Sequence, residues 1–359
     1  MDIQLWSNPI KLGELFAGGG GMVLGSLQAK WGGWGFDHEW VTDWDKDACN
    51  TLKQLVPPDS VYHCDIQELD FNQLAAVDGL AFGFPCNDFS LVGSRKGTTG
   101  QSGRLYTYCV RALEVLQPKF FVAENVQGLS SANGGADFLQ ILSEFAAAGA
   151  GYDVTYQLYK FEDYGIPQTR HRYIIVGFRS DLGVEFQHPQ PNGVVLTAKE
   201  ALEGIADGTP NHEFPNHGVN VVDRLNLIAP GGSERTTDLP DHLKMYHKGF
   251  MGQYKRVHPD RPTRTIIVGN NGSLYHWAEP RGLTNRELAR LQTFPDDYIF
   301  EGNRQSVKRQ IGMAVPPRGA RIVFEAVLAA LAVTGVDSEH HTLYNYTRTS
   351  AKILDNWEY

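Results

Sequence analysis

Short apolar runs recur along the first half of the chain, separated by segments long enough to form helices. They lie at residues 12–16, 40–42, 61–62, 80–82, 120–123, 154–159 and 173–178. Apolar runs of this length that alternate with helical segments predict buried strands of a mostly parallel sheet, covered by helices on both faces. The first half of the chain is therefore expected to form an α/β domain.

Three helices can be predicted further along the chain. Apolar residues recur at helical spacing between Phe138 and Ala148, which indicates one helical face. Thr284, followed three positions later by Glu287, predicts a capping box at the start of a helix over Leu283–Gln292. A last helix is expected from about Arg318 through Leu331.

The sequence changes character after Phe178. Residues 180–259 are rich in Gly, Pro, Asn and His and contain few periodic segments, which predicts an irregular domain of short strands and loops. We expect a first domain over residues 1–180, completed by a C-terminal helix at about 310–335. A small domain would follow over residues 181–309, and residues 336–359 would form a polar extension.

The composition is that of a globular protein large enough for two domains. The chain has 359 residues, of which 42% are hydrophobic and 20% charged. No apolar run approaches the roughly 18 residues of a membrane span, and the N-terminus does not resemble a secretion signal. Its four cysteines form no C-x-x-C pair, which argues against a zinc site and fits a reducing compartment. We therefore expect a cytoplasmic protein with neither a metal nor a membrane partner.

The net charge of −9 hides an asymmetry along the chain. Residues 244–321 contain 14 Lys and Arg against 6 Asp and Glu, a net charge of +8. A basic segment on an acidic protein is typical of a phosphate-facing surface, but a solvated surface that happens to be basic would look the same. Charge alone leaves both interpretations open.

Candidate chemistry stands at the ends of the predicted strands. Cys86 follows the run at residues 80–82, and Glu124 and Asn125 end the run at residues 120–123. Arg170 and Arg172 come just before the run at residues 173–178. Sites in open α/β sheets gather outside the carboxyl ends of the strands, so these residues predict one active site assembled from separate segments.

A glycine-rich turn, residues 16–21, follows the first predicted strand and indicates either a close backbone approach to a ligand or a plain tight turn. It matches neither G-x-G-x-x-G nor a P-loop, which favours an adenosine-bearing ligand other than a dinucleotide. Asp43 and Asp65 end the next two runs, where carboxylates can accept ribose hydroxyls and an adenine amino group. Trp44 could cover an adenine face. Each carboxylate could equally cap a helix.

These residues belong to an ordered series of motifs over about Leu12–Val333 that resembles the DNA cytosine-5 methyltransferases of bacterial and phage modification systems. The motifs are Phe16-Ala17-Gly18-Gly19-Gly20, Asp43-Trp44-Asp45, Asp65-Ile66, Gly83-Phe84-Pro85-Cys86, Phe89-Ser90, Glu124-Asn125-Val126, Gln168-x-Arg170-x-Arg172, Leu283-Thr284-x-Arg286-Glu287, Leu291-Gln292-x-Phe294-Pro295, Gln310-Ile311-Gly312 and Ala314-Val315-Pro316-Pro317. Any one motif is weak evidence, whereas the whole series in order is very specific.

The resemblance implies a Rossmann-like methyltransferase domain with a mostly parallel sheet and a smaller, irregular target recognition domain. The first domain would be catalytic and would bind S-adenosyl-L-methionine, giving S-adenosyl-L-homocysteine as product. The acceptor would be a cytosine flipped out of a specific short sequence of duplex DNA, read by residues 181–260. The resemblance also suggests a cognate restriction endonuclease, encoded nearby, as a partner.

The resemblance assigns catalytic roles residue by residue. Cys86 would add to carbon 6 of cytosine, because a thiolate is a strong nucleophile. Glu124 would hold N3, and Asn125 would orient Glu124 or the loop. Arg172, and less directly Arg170, would contact O2 and neighbouring phosphates. The structural alternatives are an inert buried cysteine, a helix-capping carboxylate and surface ion pairs.

Binding roles follow from the same resemblance. The cofactor would contact Phe16, Ala17, Gly18, Gly20, Asp43, Trp44, Asp65, Ile66, Pro85 and Met313. DNA would contact Ser90, Arg95, Lys96, Gln168, Arg256 and Arg264. The polar, glycine-punctuated loop at residues 91–103 is expected to close over the minor groove.

Two positions depart from the family pattern. Asn87 stands where glutamine is usual, and Met313 stands where asparagine is usual. Methionine lacks the two donors and the acceptor of the amide. The site could be repacked and still methylate, could be inactive in a DNA-binding relative, or could accept a modified donor. An RNA methyltransferase, as in the tRNA-methylating branch of the family, is a further alternative.

Overall fold

The structure is a computed structural model and describes residues 8–84, 105–244, 254–267 and 274–334. Within these residues the chain divides into two compact units. The sheet unit contains the described residues of Met1–Lys160, His171–Gln190 and Pro317–Asp355. The small unit contains those of Phe161–Arg170 and Pro191–Pro316.

The strands and helices are numbered along the chain. The described strands are β1 (Ile10–Leu15), β2 (Lys30–Trp31), β3 (Trp34–Asp43), β4 (Val61–His63), β5 (Gly79–Phe82), β6 (Phe120–Val126), β7 (Tyr152–Lys160), β8 (Gln168–Thr169), β9 (His171–Arg179), β10 (Lys255–Arg256), β11 (Thr263–Arg264) and β12 (Leu274–Tyr275). The described α-helices are α1 (Gly21–Gln28), α2 (Lys46–Leu52), α3 (Tyr106–Leu116), α4 (Ala136–Ala147), α5 (Ala198–Leu202), α6 (Val219–Leu227), α7 (Asn285–Leu291), α8 (Arg304–Met313) and α9 (Pro317–Thr334).

One eight-stranded sheet forms the centre of the sheet unit. Its order is β2-β3-β1-β5-β6-β9-β7, with β4 beside β3. Strands β4, β3, β1, β5 and β6 pair in parallel, whereas β9, β7 and β2 pair antiparallel to their neighbours. Each of the seven apolar runs overlaps one of these strands, so the predicted mostly parallel α/β sheet is confirmed.

Aromatic rings fill the core between the sheet and α4. Phe82, Phe121 and Phe145 lie with their ring centroids 5.4 to 5.7 Å apart, within the range of favourable stacked and edge-on contacts. Gly177 makes room for one of them, because a Cβ at this position would lie 2.2 Å from Phe121 Cε1. The apolar strands thus bury both faces, as expected for a sheet covered by helices.

The last described helix packs on the first. A Cβ on Gly25 of α1 would lie 2.5 Å from both Ala320 Cβ and Pro317 O, so only glycine permits this close approach of α9. The helix begins at Pro317, one residue before the predicted start. α9 therefore returns the end of the described chain to the sheet unit.

The small unit contains few regular elements. Among the described residues between 180 and 259, α5 and α6 are short helices and β10 is a strand of two residues, so helical turns and loops there are more extensive than the expected short strands. The predicted capping box on α7 is confirmed: Thr284 accepts from the N–H of Glu287, and Glu287 accepts from the N–H of Thr284. In the described parts of the chain, no helix is both long and apolar enough to cross a membrane.

Candidate active site

The glycine-rich turn lies at the carboxyl end of β1, where parallel strands β3 and β5 also end. Phe16, Gly18 and Gly20 have φ angles of 55°, 53° and 79°. Positive φ is easy for glycine but costly for phenylalanine, and backbone strain of this kind clusters at functional sites. The N–H of Gly18 donates to Asp43 Oδ2 over 2.8 Å, so the turn is tied to the end of β3.

Asp43 is the anchor between the turn and the neighbouring strands. It is 8% exposed, and its Oδ1 accepts a second bond from the N–H of Asp45 over 2.8 Å. Burial raises the pKa of Asp43, although the N–H groups of Asp45 and Gly18 oppose this shift. A carboxylate has about four acceptor positions, and the backbone N–H groups of Gly18, Asp45 and Trp44 do not use all of them. Asp45, by contrast, caps α2 and accepts from Asp47 and Ala48.

The neighbouring candidates differ in exposure. Trp44 is 71% exposed, so its indole face is open to a planar ligand. Asp65 is also exposed, whereas Ile66 is buried in the core beneath the sheet edge. The N–H of Cys64 donates to Asp43 O over 3.2 Å, which holds the end of β4 beside that of β3. The structure thus gathers Phe16, Ala17, Gly18, Gly20, Asp43, Trp44 and Asp65 on adjoining strand ends.

A residue that sequence reasoning missed lies beside them. Glu14 of β1 is fully buried, and neither carboxylate oxygen has a hydrogen-bond partner among the described residues. Burial, and then the charge of Asp43, raise the pKa of Glu14 well above its ordinary value. The sequence feature that could have identified Glu14 is an acidic residue inside the first apolar run, just before the glycine-rich turn. An unpartnered buried carboxyl is costly and points to a positively charged ligand.

Glu124 and Arg172 form an ion pair across β6 and β9. Arg172 Nε lies 2.8 Å from Glu124 Oε1, and the two residues are diagonal neighbours, because Val126 is opposite Arg172 in the antiparallel register. Oε1 therefore has charge compensation, but it has no hydrogen-bond partner among the described residues. Arg172 is also held by a bond from its Nη1 to the carbonyl of His171.

Asn125 ties this pair to the segment that carries the candidate nucleophile. Its Nδ2 donates to Phe84 O over 3.1 Å, and Phe84 is two residues before Cys86 in the sequence. A Cβ on Gly83 would lie 3.5 Å from Glu124 Oε2, so the carboxylate lies over the backbone that leads into this segment. The carboxylate, the guanidinium and the start of the segment are therefore adjacent.

Comparison with known proteins shows to which family the chain belongs. The sequence model of the family described as C-5 cytosine-specific DNA methylase matches residues 10–329. This chain belongs to the C-5 cytosine-specific DNA methylase family. The predicted enzyme class, a DNA (cytosine-5-)-methyltransferase, is thereby confirmed.

The sequences of several relatives align with this methylase over most of their length. The chain is 48% identical over 340 residues to the type II methyltransferase M.BbvI of Brevibacillus brevis, covering 89% of this chain and 91% of the relative. It is 38% identical over 336 residues to M.NgoFVII of Neisseria gonorrhoeae, covering 90% and 87%. A crystal structure described as a DNA modification methyltransferase from an Escherichia coli prophage aligns with a TM-score of 0.71 at 23% identity, covering 90% and 99%. That structural likeness shows the fold.

Two of the predicted site residues form buried contacts within the small unit. Arg170 is 2% exposed, and its guanidinium donates to the carbonyls of Gly312 and Met313 at the end of α8. Gln168 is fully buried and bonds Gln292 Oε1, Leu291 O and the N–H of Ile266. These contacts organise the small unit, and the contacts predicted with cytosine and DNA stay predictions.

The predicted DNA-binding arginines behave differently from each other. Arg256 is buried and uses all five of its N–H donors on backbone carbonyls, those of Leu225, Ile228, His276, Trp277 and Glu279. All of its donors are thus engaged within the small unit, and its predicted contact with DNA stays a prediction. Arg264 is exposed on β11 and forms no such bonds.

The remaining predicted positions are Met313 and several residues that lie outside the described part of the chain. Met313 ends α8 with its side chain 57% exposed. Pro85, Cys86, Asn87, Ser90, Arg95, Lys96 and the loop at residues 91–103 lie outside the described residues. Across the described ranges, no cluster of three or more His, Cys, Asp and Glu side chains could hold a metal ion.

Proposed function

We propose that this methylase transfers a methyl group from S-adenosyl-L-methionine to carbon 5 of a cytosine flipped out of a specific duplex DNA sequence. The Glu124–Arg172 ion pair beside the segment that leads to Cys86 carries the proposal. It supplies one acidic and one basic group at the place where a cytosine edge must be held while a nucleophile attacks.

Cys86 is the nucleophile. Its thiolate adds to carbon 6 of cytosine, and this makes carbon 5 electron-rich enough to accept a methyl group. Glu124 holds N3 and shares a proton with it, so negative charge does not accumulate on the ring during addition. Arg172 stabilises the charge that grows on O2. Carbon 5 takes the methyl group and leaves S-adenosyl-L-homocysteine as the product. A base then accepts the carbon 5 proton, the bond between carbon 6 and Cys86 breaks, and 5-methylcytosine and the free thiolate are released.

The residues at the strand ends fit the donor. S-adenosyl-L-methionine supplies a sulfonium methyl group, and its amino acid part carries an ammonium. Asp43 keeps acceptor positions for ribose hydroxyls, and Trp44 offers an indole face to adenine. Asp65 is exposed and can accept from the adenine amino group. Glu14 is the buried carboxyl without a partner that a cationic ligand would satisfy. The bond from Gly18 to Asp43 holds the turn open for close backbone approach.

A modification role follows from the relatives named as type II methyltransferases. We infer that the target is a short DNA sequence and that a cognate endonuclease cuts the same sequence when it is unmethylated. The predicted recognition region at residues 181–260 would read it.

The test is a nucleoside analysis by mass spectrometry. Unmethylated duplex DNA is incubated with the protein and S-adenosyl-L-methionine and then digested completely. A 5-methylcytosine peak that disappears in the Cys86→Ala variant is expected. DNA binding without any modified cytosine would overturn the proposal and would direct attention to Met313 and to a different donor, whereas methylation of an RNA duplex alone would identify an RNA methyltransferase.

A further inference from the structure

The carbonyl oxygen of Trp44 is held by a side chain from the neighbouring strand. His63 is the last residue of β4, and its Nε2 lies 3.1 Å from Trp44 O. A carbonyl oxygen can only accept a hydrogen bond, so Nε2 carries the ring proton and donates it. The strand register explains the contact, because Asp43, the residue before Trp44, is the partner of His63 in the parallel β3–β4 pairing.

The same peptide group is held at its other end. The N–H of Asp45 belongs to the peptide bond whose carbonyl oxygen is Trp44 O, and it donates to Asp43 Oδ1 over 2.8 Å. The N–H of Trp44 also bonds to the carboxylate of Asp43. The peptide groups on both sides of Trp44 are therefore fixed, the first by Asp43 and the second by Asp43 and His63 together.

The neighbouring elements fix the strand end beneath these bonds. Asp43 O accepts from the N–H of Cys64 over 3.2 Å and from Cys49 Sγ over 3.3 Å. Cys64 directly follows β4, and Cys49 lies on α2. Asp45 caps the start of α2. The backbone that carries the indole is thus anchored to both β4 and α2.

The indole on this anchored backbone is itself exposed. Trp44 is 71% exposed, so its orientation depends mainly on the backbone that carries it. A flexible side chain must be ordered when a ligand binds, and this ordering costs affinity. A bond that fixes the backbone beneath the indole before binding therefore favours a ligand that stacks on the ring. His63 is also exposed, so its bond competes with water and its effect is modest.

We propose that His63 is a positioning residue that orients Trp44 for stacking against the adenine of S-adenosyl-L-methionine. This inference rests on the proposed function, which takes the indole as the surface for adenine. It adds a residue that acts on donor affinity through Trp44. Because His63 takes no part in the transfer of the methyl group, the donor Kd should depend on His63 while the rate of the chemical step should not.

A double-variant cycle measures whether His63 acts through Trp44. The Kd for S-adenosyl-L-methionine is measured by calorimetry for the wild type, His63→Ala, Trp44→Ala and the variant with both substitutions. We expect the Kd to rise by about threefold in His63→Ala and by about tenfold or more in Trp44→Ala. In the Trp44→Ala background, His63→Ala should raise the Kd by less than about 1.5-fold, because the ring that it orients is absent.

Two further variants separate this role from a general loss of structure. Glutamine presents an amide N–H near the position of the imidazole Nε2, so His63→Gln should keep the Kd within about 1.5-fold of the wild-type value. His242→Ala removes an exposed histidine of the small unit and should leave the Kd unchanged. At saturating donor, the single-turnover rate of His63→Ala should equal that of the wild type.

An unchanged Kd in His63→Ala would overturn the positioning role, and so would an equal rise in Kd with and without the indole. A nucleoside analysis of the wild type distinguishes these failures from failure of the proposed function. If the wild type forms 5-methylcytosine while the two substitutions act additively, only the role of His63 is excluded. If the two substitutions are coupled but the wild type forms no 5-methylcytosine, the role of His63 is supported and the proposed reaction is contradicted.

Discussion

Arg172 and Glu124 lie on neighbouring antiparallel strands and form an ion pair in which Nε is 2.8 Å from Oε1. Both side chains are largely buried, at 13% and 11% exposure. None of the described residues donates a hydrogen bond to Glu124 Oε1, which is itself buried. An acidic group whose charge is balanced by a neighbouring guanidinium suits general acid–base work on a base edge.

A Glu124→Gln variant tests this relationship. Glutamine has almost the same size but neither the charge nor the ability to exchange a proton, so we expect the single-turnover rate of methyl transfer to fall by about 10²- to 10⁴-fold. The melting temperature should change little, because Arg172 keeps its bond to the carbonyl of His171. Quenched-flow kinetics with radiolabelled donor would measure the rate.

The control for this variant lies on β9, at the opposite end of the strand from Arg172. Arg179 forms an ion pair with Asp181, and an Arg179→Gln substitution removes a guanidinium from β9 without touching Glu124. This variant should keep the wild-type rate. If Glu124→Gln also kept it, the assignment of Glu124 to the chemistry would be wrong.

The sequence predicts Glu124 and Arg172 as candidates for one site but does not predict that they form an ion pair. The apolar runs gave the strands, and the motif order gave Glu124 and Arg172 as separate candidates. Their contact depends on the antiparallel register of β6 and β9, which joins positions 48 residues apart and is not encoded in either run. Local patterns predict elements well because they reflect burial, whereas register depends on the whole sheet.

Arg256 shows a second limit of prediction from the sequence. An arginine in a basic segment favours phosphate contact on average, but the carbonyls that bind this one come from α6 and from the loop after β12. No pattern along the chain indicates that these loops converge. Glu14 was missed for a related reason, since an acidic residue in a strand gains meaning only when its burial and lack of a partner are known.

An Arg256→Lys variant should lower stability rather than specifically weaken DNA contact. Lysine has three donors on one atom and cannot reach five carbonyls spread around a planar guanidinium. Hydrogen bonds to charged groups contribute about 1.5–3 kcal/mol each, so we expect the free energy of unfolding to fall by about 3 kcal/mol. Urea denaturation without DNA measures this change.

The neighbouring position provides the comparison. Lys255 is half-buried and forms none of these bonds, so Lys255→Gln should change stability by less than about 0.5 kcal/mol. The structural role of Arg256 would be refuted by a lysine variant as stable as the wild type. A defect confined to DNA affinity would return Arg256 to the list of DNA contacts.

A Glu14→Gln variant should separate stability from cofactor binding. The pKa of Glu14 in the folded protein is raised above its unfolded value. The buried carboxyl therefore contributes stability that is fully present below the unfolded pKa, about 4.5, and is lost as pH rises through the folded pKa. Glutamine does not titrate, so the variant should gain stability relative to the wild type between pH 5 and pH 7, as measured by urea unfolding without ligand.

Cofactor affinity should move in the opposite direction. Glu14 compensates the ammonium of the donor from within the buried strand. When its carboxylate is removed, the Kd for S-adenosyl-L-methionine, measured by calorimetry, should rise by at least about tenfold. Glu68→Gln, at an exposed position, should leave both quantities unchanged. Wild-type affinity in the Glu14 variant would remove Glu14 from the cofactor site.

His38 of β3 predicts how the fold responds to acid. It is 3% exposed, and its Nε2 lies 2.8 Å from Ser26 Oγ, whose own proton is donated to Val23 O. The proton of the ring must then be on Nε2, and Nδ1 has no hydrogen-bond partner among the described residues. Burial lowers the pKa of His38 to about 4, and the charge of Asp37 only partly opposes this shift.

The direction in which stability changes with pH follows from the linkage between protonation and folding. A histidine with a folded pKa below its unfolded value stabilises the protein at pH values above the unfolded pKa of about 6.5, and this contribution is lost as pH falls towards 4. Between pH 7 and pH 4.5 the wild type should therefore lose about 2 kcal/mol more than a His38→Gln variant, which cannot charge. Urea denaturation at the two pH values gives the difference, and the comparison of slopes holds even if the substitution lowers stability at both. Exposed His63→Gln should follow the wild type; equal slopes for the His38 variant and the wild type would show that His38 does not titrate with folding.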